Sequence, residues 1–551
     1  VDILVSKSVN DGAKNVTCAF GGSQPGAKFS DRISYNIHAK SSPGIVVKTP
    51  LGTVSGWERV SRDGRPYLAW TRVPYAQPPV GKLRLMAPKP AQPWTGVLNA
   101  TGTMPHCMQL PQGQEDCLYL NVFRPKIPTD NMPVLVYVHG GGFQTGSAEA
   151  PENADYIMDE DVILVCIHYR LNGFGFMTLG DTTMPGNFGL KDQAMAMKWI
   201  KQNIASFGGN PESITVFGVS AGGASAHYLL KSPVCDDIVS RAVSDSGTIN
   251  HIWSMGTVDF EKQSTMAVSK DVGCTSEDHN EILTCLQGIP ASQLLSAITR
   301  HYPDDPSRLT YLPVIEPEDA DDAFMTEDLS LRPSNKPWIT STTNGEYLLF
   351  ANSTNQPFYV RLQQNLTGYL REWILTHNDD PMMVNESATM LEVDYFPDRL
   401  RIDNMKQEFA KMTGDDWFVF PAVVNMMHRG PKWMYRFEYK GEYSGIDPAT
   451  GKTWTPPNVA GHAEEWLFYF NSQPTKQNAA DKAVSKRLIK YLVNFAYYDN
   501  PTPPGSSYTW NQFTHNEVLR ITSQGDYQGD YYFFQPIKNI ADKLIYILGW
   551  N

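Results

Sequence analysis

No run of roughly 18 apolar residues occurs in this 551-residue chain, so no membrane span is expected. Basic residues are not in excess: 46 Lys and Arg face 58 Asp and Glu, a net charge of -12. That balance repels phosphate backbones and argues against a nucleic-acid partner. Internal repeats and low-complexity tracts are absent. Cysteine is scarce and odd in number, so the seven cannot all pair within the chain. No basic and apolar leader opens the sequence, and the Val1 start reads as a mature chain whose signal has been removed. The last residues, LIYILGWN, hold neither an ER-retention signal nor a long anchor tail.

What is present reads as globular. Hydrophobic residues make up 41% and charged residues 19%, and the length supports a large buried core. Cys107 and Cys117 bracket a polar loop, and Cys274 and Cys285 bracket a short helical stretch. Both separations permit a local disulfide if the chain folds back. Cys166 lies within VILVCI and reads as a buried free thiol, while Cys18 and Cys235 are given no partner. Five N-x-S/T sequons stand at Asn15, Asn99, Asn352, Asn365 and Asn385. With the cysteine pairs they favour a secreted, extracellular glycoprotein.

Residues 1–42 are rich in Gly, Ser, Asn and Lys and read as an N-terminal arm or extension. A hairpin is expected around Pro50 to Gly52. From Val134 onward, apolar strand-like runs (VLVYV, VILVCI, ITVFG) alternate with helical spacing (LKDQAMAMKWIKQNIASF, AGGASAHYLL). This pattern predicts a parallel sheet covered on both faces. PWITSTT and KWMYRFEY are later strand candidates, with a long, mainly helical region between them. The reading is a single α/β domain whose insertions cap a site.

Gly218-Val219-Ser220-Ala221-Gly222 matches G-x-S-x-G between a predicted strand and a predicted helix. The sharp turn raises the serine above the sheet, and the flanking glycines leave it room. The helix that follows points its N-terminus at developing negative charge. Ala221 and the Gly-rich loop His139-Gly140-Gly141-Gly142-Phe143 supply amides for an oxyanion hole. The base is expected late in the chain: His462 follows the loop TPPNVAGH, with His428 and His515 as competitors. The acid is expected between serine and histidine, at Glu346 after PWITSTT, with Glu316 in PVIEPED as the alternative.

Together these stretches resemble the type-B carboxylesterase/cholinesterase family, from about Pro43 to the end of the chain. The resemblance is carried by EDCLYLNV, HGGGF, PGNFGLKDQ, FGGNPESITVFGVSAGG, SDSG, PVIEP, TNGE and GHAEEW in that order. It implies an α/β-hydrolase fold over 43–551: a large, mostly parallel central sheet covered by helices, with helical insertions. Residue by residue it implies Ser220 as nucleophile, His462 as base, Glu346 as acid, and oxyanion donors at Gly141, Gly142 and Ala221. It places Ser246 in support of the acid, pairs Cys107 with Cys117 and Cys274 with Cys285, and lowers Glu316. Three departures stand out. Val219 replaces the usual Glu or Gln before the nucleophile, and Asp245 stands where Gln is common. The Cys107–Cys117 loop has no Trp to bind a quaternary ammonium, which argues against a cholinesterase.

The function so implied is hydrolysis of carboxylic esters with apolar groups, through an acyl-enzyme and without a metal or organic cofactor. The expected partner is a small-molecule ester, and no oligomeric state is read from the sequence. The readings set against it are an inactive binding or adhesion protein on the same fold and a lipase-type variant.

Overall fold

The apolar runs around Val134 and Val162 are strands with no solvent face: all seven residues of Met132–Val138 and all five of Ile163–Ile167 are buried. Each such Val, Leu or Ile contributes about 1.5–3 kcal/mol of burial, which a sheet collects only when helices cover both its faces. The structure is a computed structural model. It describes residues 45–148, 154–249, 253–305, 307–351, 356–375, 381–397, 402–426, 429–442, 458–471, 477–513 and 517–530. These belong to a unit spanning Ser42–Asn551. A second unit, Val1–Ser41, lies outside the described residues, as do Asn15, Cys18, Asn352, His428 and His515.

The described strands are β1 (Val46–Thr49), β2 (Gly52–Ser55), β3 (Trp57–Val60), β4 (Pro66–Pro74), β5 (Val97–Asn99), β6 (Tyr119–Pro125), β7 (Met132–Val138), β8 (Ile163–Ile167), β9 (Gly209–Val219), β10 (Arg241–Asp245), β11 (Trp338–Thr343), β12 (Lys432–Phe437), β13 (Glu517–Thr522) and β14 (Gly525–Asp530). β1, β2 and β5 make a small sheet, with the expected hairpin closing Thr49 onto Gly52. The other eleven form one sheet in the order β14-β13-β12-β11-β10-β9-β7-β8-β6-β4-β3. Every pairing from β8 through β13 is parallel, and the margins are antiparallel. This is the α/β-hydrolase architecture the sequence predicts.

The parallel strands are joined by buried helices. Phe188–Asn203 continues as a 3₁₀ turn to Phe207 and stops at Gly208, whose φ of 86° is left-handed. Ala221–Lys231 starts at the end of β9, and every one of its residues is buried. The segment between β11 and β12 is helical, as expected, and builds a separate small core around Phe358, Leu370, Trp373 and Phe409. Two disulfides form, Cys107–Cys117 and Cys274–Cys285. Cys166 and Cys235 are buried free thiols, and burial pushes Cys235 up to about 12, which keeps it unreactive. Among the described residues no single helix is long and apolar enough to cross a membrane.

Candidate active site

β9 runs straight into the helix Ala221–Lys231, and Ser220 is the whole of the turn between them. Its φ of 60° and ψ of -127° are a backbone conformation that L residues rarely adopt. Neighbouring contacts hold it there. The Ser220 amide donates to the Asp245 carbonyl at 2.8 Å, and the Ser220 carbonyl accepts from the Ala224 amide at 2.9 Å. The turn tolerates no side chain beside it: a Cβ on Gly218 or Gly222 would collide with the Val138 carbonyl. The G-x-S-x-G pattern is thus a packing requirement, and it lifts the Ser220 side chain into a cavity of about 530 Å³.

The loop after β7 forms a second wall. Gly141 and Gly142 take φ of 116° and 61° and line the same cavity. Gln144 and Thr145 amides close back onto the Gly141 carbonyl at 3.0 and 3.1 Å. His139 stacks on Tyr169 with ring centroids 4.5 Å apart, and Tyr169 donates its hydroxyl to the His139 carbonyl at 3.0 Å. Burial lowers His139 to about 4, so its ring is neutral at ordinary pH. The amides of Gly141, Gly142 and Ala221 find no backbone or side-chain acceptor among the described residues. Such free donors beside a hydroxyl suit an oxyanion.

The other side is built from loops that follow β11 and β12. Asn344 ties them together: its Nδ2 donates to the Asn458 carbonyl at 3.1 Å, and its Oδ1 accepts from the Ala460 amide at 2.8 Å. This brings His462 Nδ1 to 2.6 Å from Glu346 Oε2. Both residues are buried or nearly so, with side chains 7% and 2% exposed. Glu346 Oε1 accepts from the Thr343 amide and from Ser246 Oγ, each at 2.7 Å. Phe418 packs on the His462 ring at 4.1 Å between centroids. The opposite ring nitrogen, Nε2, is buried with no partner among the described residues, and His462 and Ser220 line the same cavity. Nδ1 held by a carboxylate leaves Nε2 available to take a proton.

The structure therefore brings together Ser220, Gly141, Gly142, Ala221, His462, Glu346 and Ser246. It does not bring Glu316, whose carboxylate pairs with Lys191 at 2.6 Å and accepts from Asn187 and the Phe324 amide at 2.8 Å each. That residue fastens the PVIEP loop to the helix Phe188–Asn203. The sequons at Asn99, Asn365 and Asn385 are exposed.

Sequence reasoning missed three kinds of group, and it noted a fourth, Val219, without its effect on the cavity wall. Trp417 and Phe418, in a π-helical turn at Asp415–Val419, join Trp253, Leu309, Leu349 and Phe350 on the cavity wall. Val219 lines the wall beside the nucleophile, so no Asp, Glu, Lys or Arg faces the cavity among its described lining residues. Gln109 binds the Gly-rich loop from the Cys107–Cys117 segment. Glu465 sits fully buried behind Ser246 at 3.0 Å. The signal for Glu465 was its place one helical turn after His462 in GHAEEW. No local signal marked the others.

Comparison with known proteins agrees with this geometry. A model of the carboxylesterase family matches residues 43–534. A juvenile hormone esterase of Tribolium castaneum is 33% identical over 522 residues, covering 88% of this chain and 87% of the relative. An acylcarnitine hydrolase of Mus musculus is 31% identical over 481 residues, covering 81% of each. The crystal structure of juvenile hormone esterase from Manduca sexta, with OTFP covalently attached, superposes with a TM-score of 0.81 at 26% identity, covering 92% of this chain and 100% of that one.

Proposed function

The chain belongs to the carboxylesterase family and hydrolyses carboxylic esters, and we propose that it does so with Ser220 as nucleophile, His462 as base and Glu346 as the orienting acid. His462 Nε2 takes the hydroxyl proton as Ser220 Oγ bonds to the ester carbonyl carbon. The carbonyl oxygen becomes an oxyanion held by the Gly141, Gly142 and Ala221 amides. His462 returns the proton to the leaving alcohol, and the C–O bond breaks. Water then attacks the acyl-enzyme by the same route and frees the acid. Glu346 keeps the Nδ1 proton in place and stabilises the imidazolium. The observation that carries this reading is the 2.6 Å Glu346–His462 contact with Nε2 left unpartnered on the wall it shares with Ser220.

The substrate class we assign is neutral esters with a bulky or extended apolar part. An uncharged wall of three tryptophans, two phenylalanines and two leucines favours such groups, and Val219 offers a cationic ester no carboxylate where Glu or Gln is common. A juvenile hormone-type ester and an acylcarnitine follow from the relatives' names, and the uncharged wall favours the first. Residues 43–551 are read as one catalytic domain and 1–42 as an extension. Exposed sequons and two disulfides support a secreted enzyme.

Hydrolysis of a graded p-nitrophenyl ester series, a juvenile hormone-type ester and a choline ester tests the reading. The wild type is expected to prefer the neutral apolar esters, and Ser220→Ala to turn over none. Equal rates for the two proteins would remove the nucleophile assignment.

A further inference from the structure

Glu465 lies three residues beyond His462 and is fully buried. Its Oε1 stands 3.0 Å from Ser246 Oγ and 3.2 Å from Ser341 Oγ, while the same Ser246 Oγ stands 2.7 Å from Glu346 Oε1. A hydroxyl carries one proton and cannot donate to two carboxylates at once. With the shorter contact taking the Ser246 proton, the longer one is a hydrogen bond only if Glu465 is the donor. Glu465 Oε2 has no partner among the described residues.

The surroundings argue the same way. Asp245 faces Glu465 from β10, Glu346 from the loop after β11, Tyr435 from β12 and Tyr469 from the helix Trp466–Tyr469. Among the described residues no Lys or Arg forms an ion pair with it. Burial first, then the Asp245 and Glu346 carboxylates, push the Glu465 carboxyl well above the usual range. Asp245 accepts the Tyr469 hydroxyl at 3.1 Å, and burial raises it only to about 6. Asp245 accepts a phenolic hydroxyl, whereas the Ser341 hydroxyl at 3.2 Å is the one donor left to Glu465 once the Ser246 proton goes to Glu346.

We propose that Glu465 is a positioning residue that stays protonated in the working enzyme: it donates to Ser246, Ser246 donates to Glu346, and Glu346 is thereby aimed at His462. This rests on the triad reading above. The chain of donors runs in one direction, from Glu465 O–H to Ser246 Oγ, from Ser246 O–H to Glu346 Oε1, with Glu346 Oε2 on the imidazole. A neutral Glu465 also spares His462 a second negative charge. Asp245, where the family commonly has Gln, supplies the negative charge that keeps the proton on Glu465.

The test compares Glu465→Gln with Glu465→Leu, both checked for a native melting transition. The Gln amide is neutral and still donates to Ser246. The acid limb of its kcat/KM profile is expected to stay in place, with kcat down less than about tenfold. Leu removes the donor and should cut kcat about 100-fold with KM changed far less. In infrared difference spectra at pH 8, wild type minus Glu465→Gln should show a protonated-carboxyl C=O band. That band should titrate away at lower pH in an Asp245→Asn background, which serves if the Gln variant fails to fold. An acid limb that moves to lower pH in Glu465→Gln, or no such band, would mean an ionised Glu465 and overturn the proposal. Either result would leave the triad standing, since the triad fails only if Ser220→Ala retains turnover.

Discussion

Gln109 and Gly146 clasp each other with two hydrogen bonds: the Gly146 amide donates to Gln109 Oε1 at 2.8 Å, and Gln109 Nε2 donates to the Gly146 carbonyl at 2.8 Å. This joins the Cys107–Cys117 loop to the Gly-rich loop that presents Gly141 and Gly142. The disulfide therefore acts on the cavity at a distance, by fixing where those amides stand. Gln109→Ala is expected to lower kcat about tenfold, with a smaller change in KM, because two neutral hydrogen bonds of about 1 kcal/mol each are lost from the oxyanion wall. Steady-state kinetics on one p-nitrophenyl ester checks this. An unchanged kcat would mean the Gly-rich loop holds its shape unaided.

Val219 is buried against the cavity at 3% exposure. Val219→Glu restores the residue common in the family and places a carboxylate beside the nucleophile. The ratio of kcat/KM for a choline ester over the matching neutral ester should rise about tenfold or more, mostly through slower turnover of the neutral ester. Kinetics with butyrylthiocholine and p-nitrophenyl butyrate reads that ratio.

Stability should depend on pH through Glu261. Burial raises its carboxyl from 4.5 to about 8, with the Tyr311 amide donating to it at 2.6 Å. The folded state thus binds this proton more tightly than the unfolded chain does. The stabilisation is complete below about 4.5 and is lost as pH rises through about 8. The swing is on the order of a few kcal/mol. Asp415, raised by burial to about 7, acts with the same sign. Glu261→Gln should flatten the fall in melting temperature between pH 5 and pH 8 and melt several degrees higher than wild type at pH 8. Differential scanning calorimetry across that range decides it.

Much of this was legible in the sequence because the signals were local. The runs at Val134 and Val162 have no polar face, so their burial could be read directly. Ser220 sits in a turn whose steric demands are written in its own glycines, and His462 and Glu346 each follow a strand end. What escaped was convergence. Asp245, at the end of β10, and Glu465, in the segment after β12, are far apart in sequence, and neither neighbourhood advertises a buried carboxylate pair. Trp417 and Phe418 belong to the apolar core, yet from their π-helical turn both also line the cavity, which no local pattern announces. Gln109 sat in a polar loop that gave no reason to expect a structural role.

In the proposed mechanism the Ser220 hydroxyl attacks the ester carbonyl and carries the acyl group. Peptide mass spectrometry after reaction with an organofluorophosphate tests it most directly. One phosphoryl adduct is expected, on Ser220, stoichiometric with loss of activity, and a Ser220→Ala protein should take no label and be slower by roughly 10⁴-fold. An adduct on another residue that tracks the loss of activity, or a Ser220→Ala enzyme that still turns over ester, would contradict it.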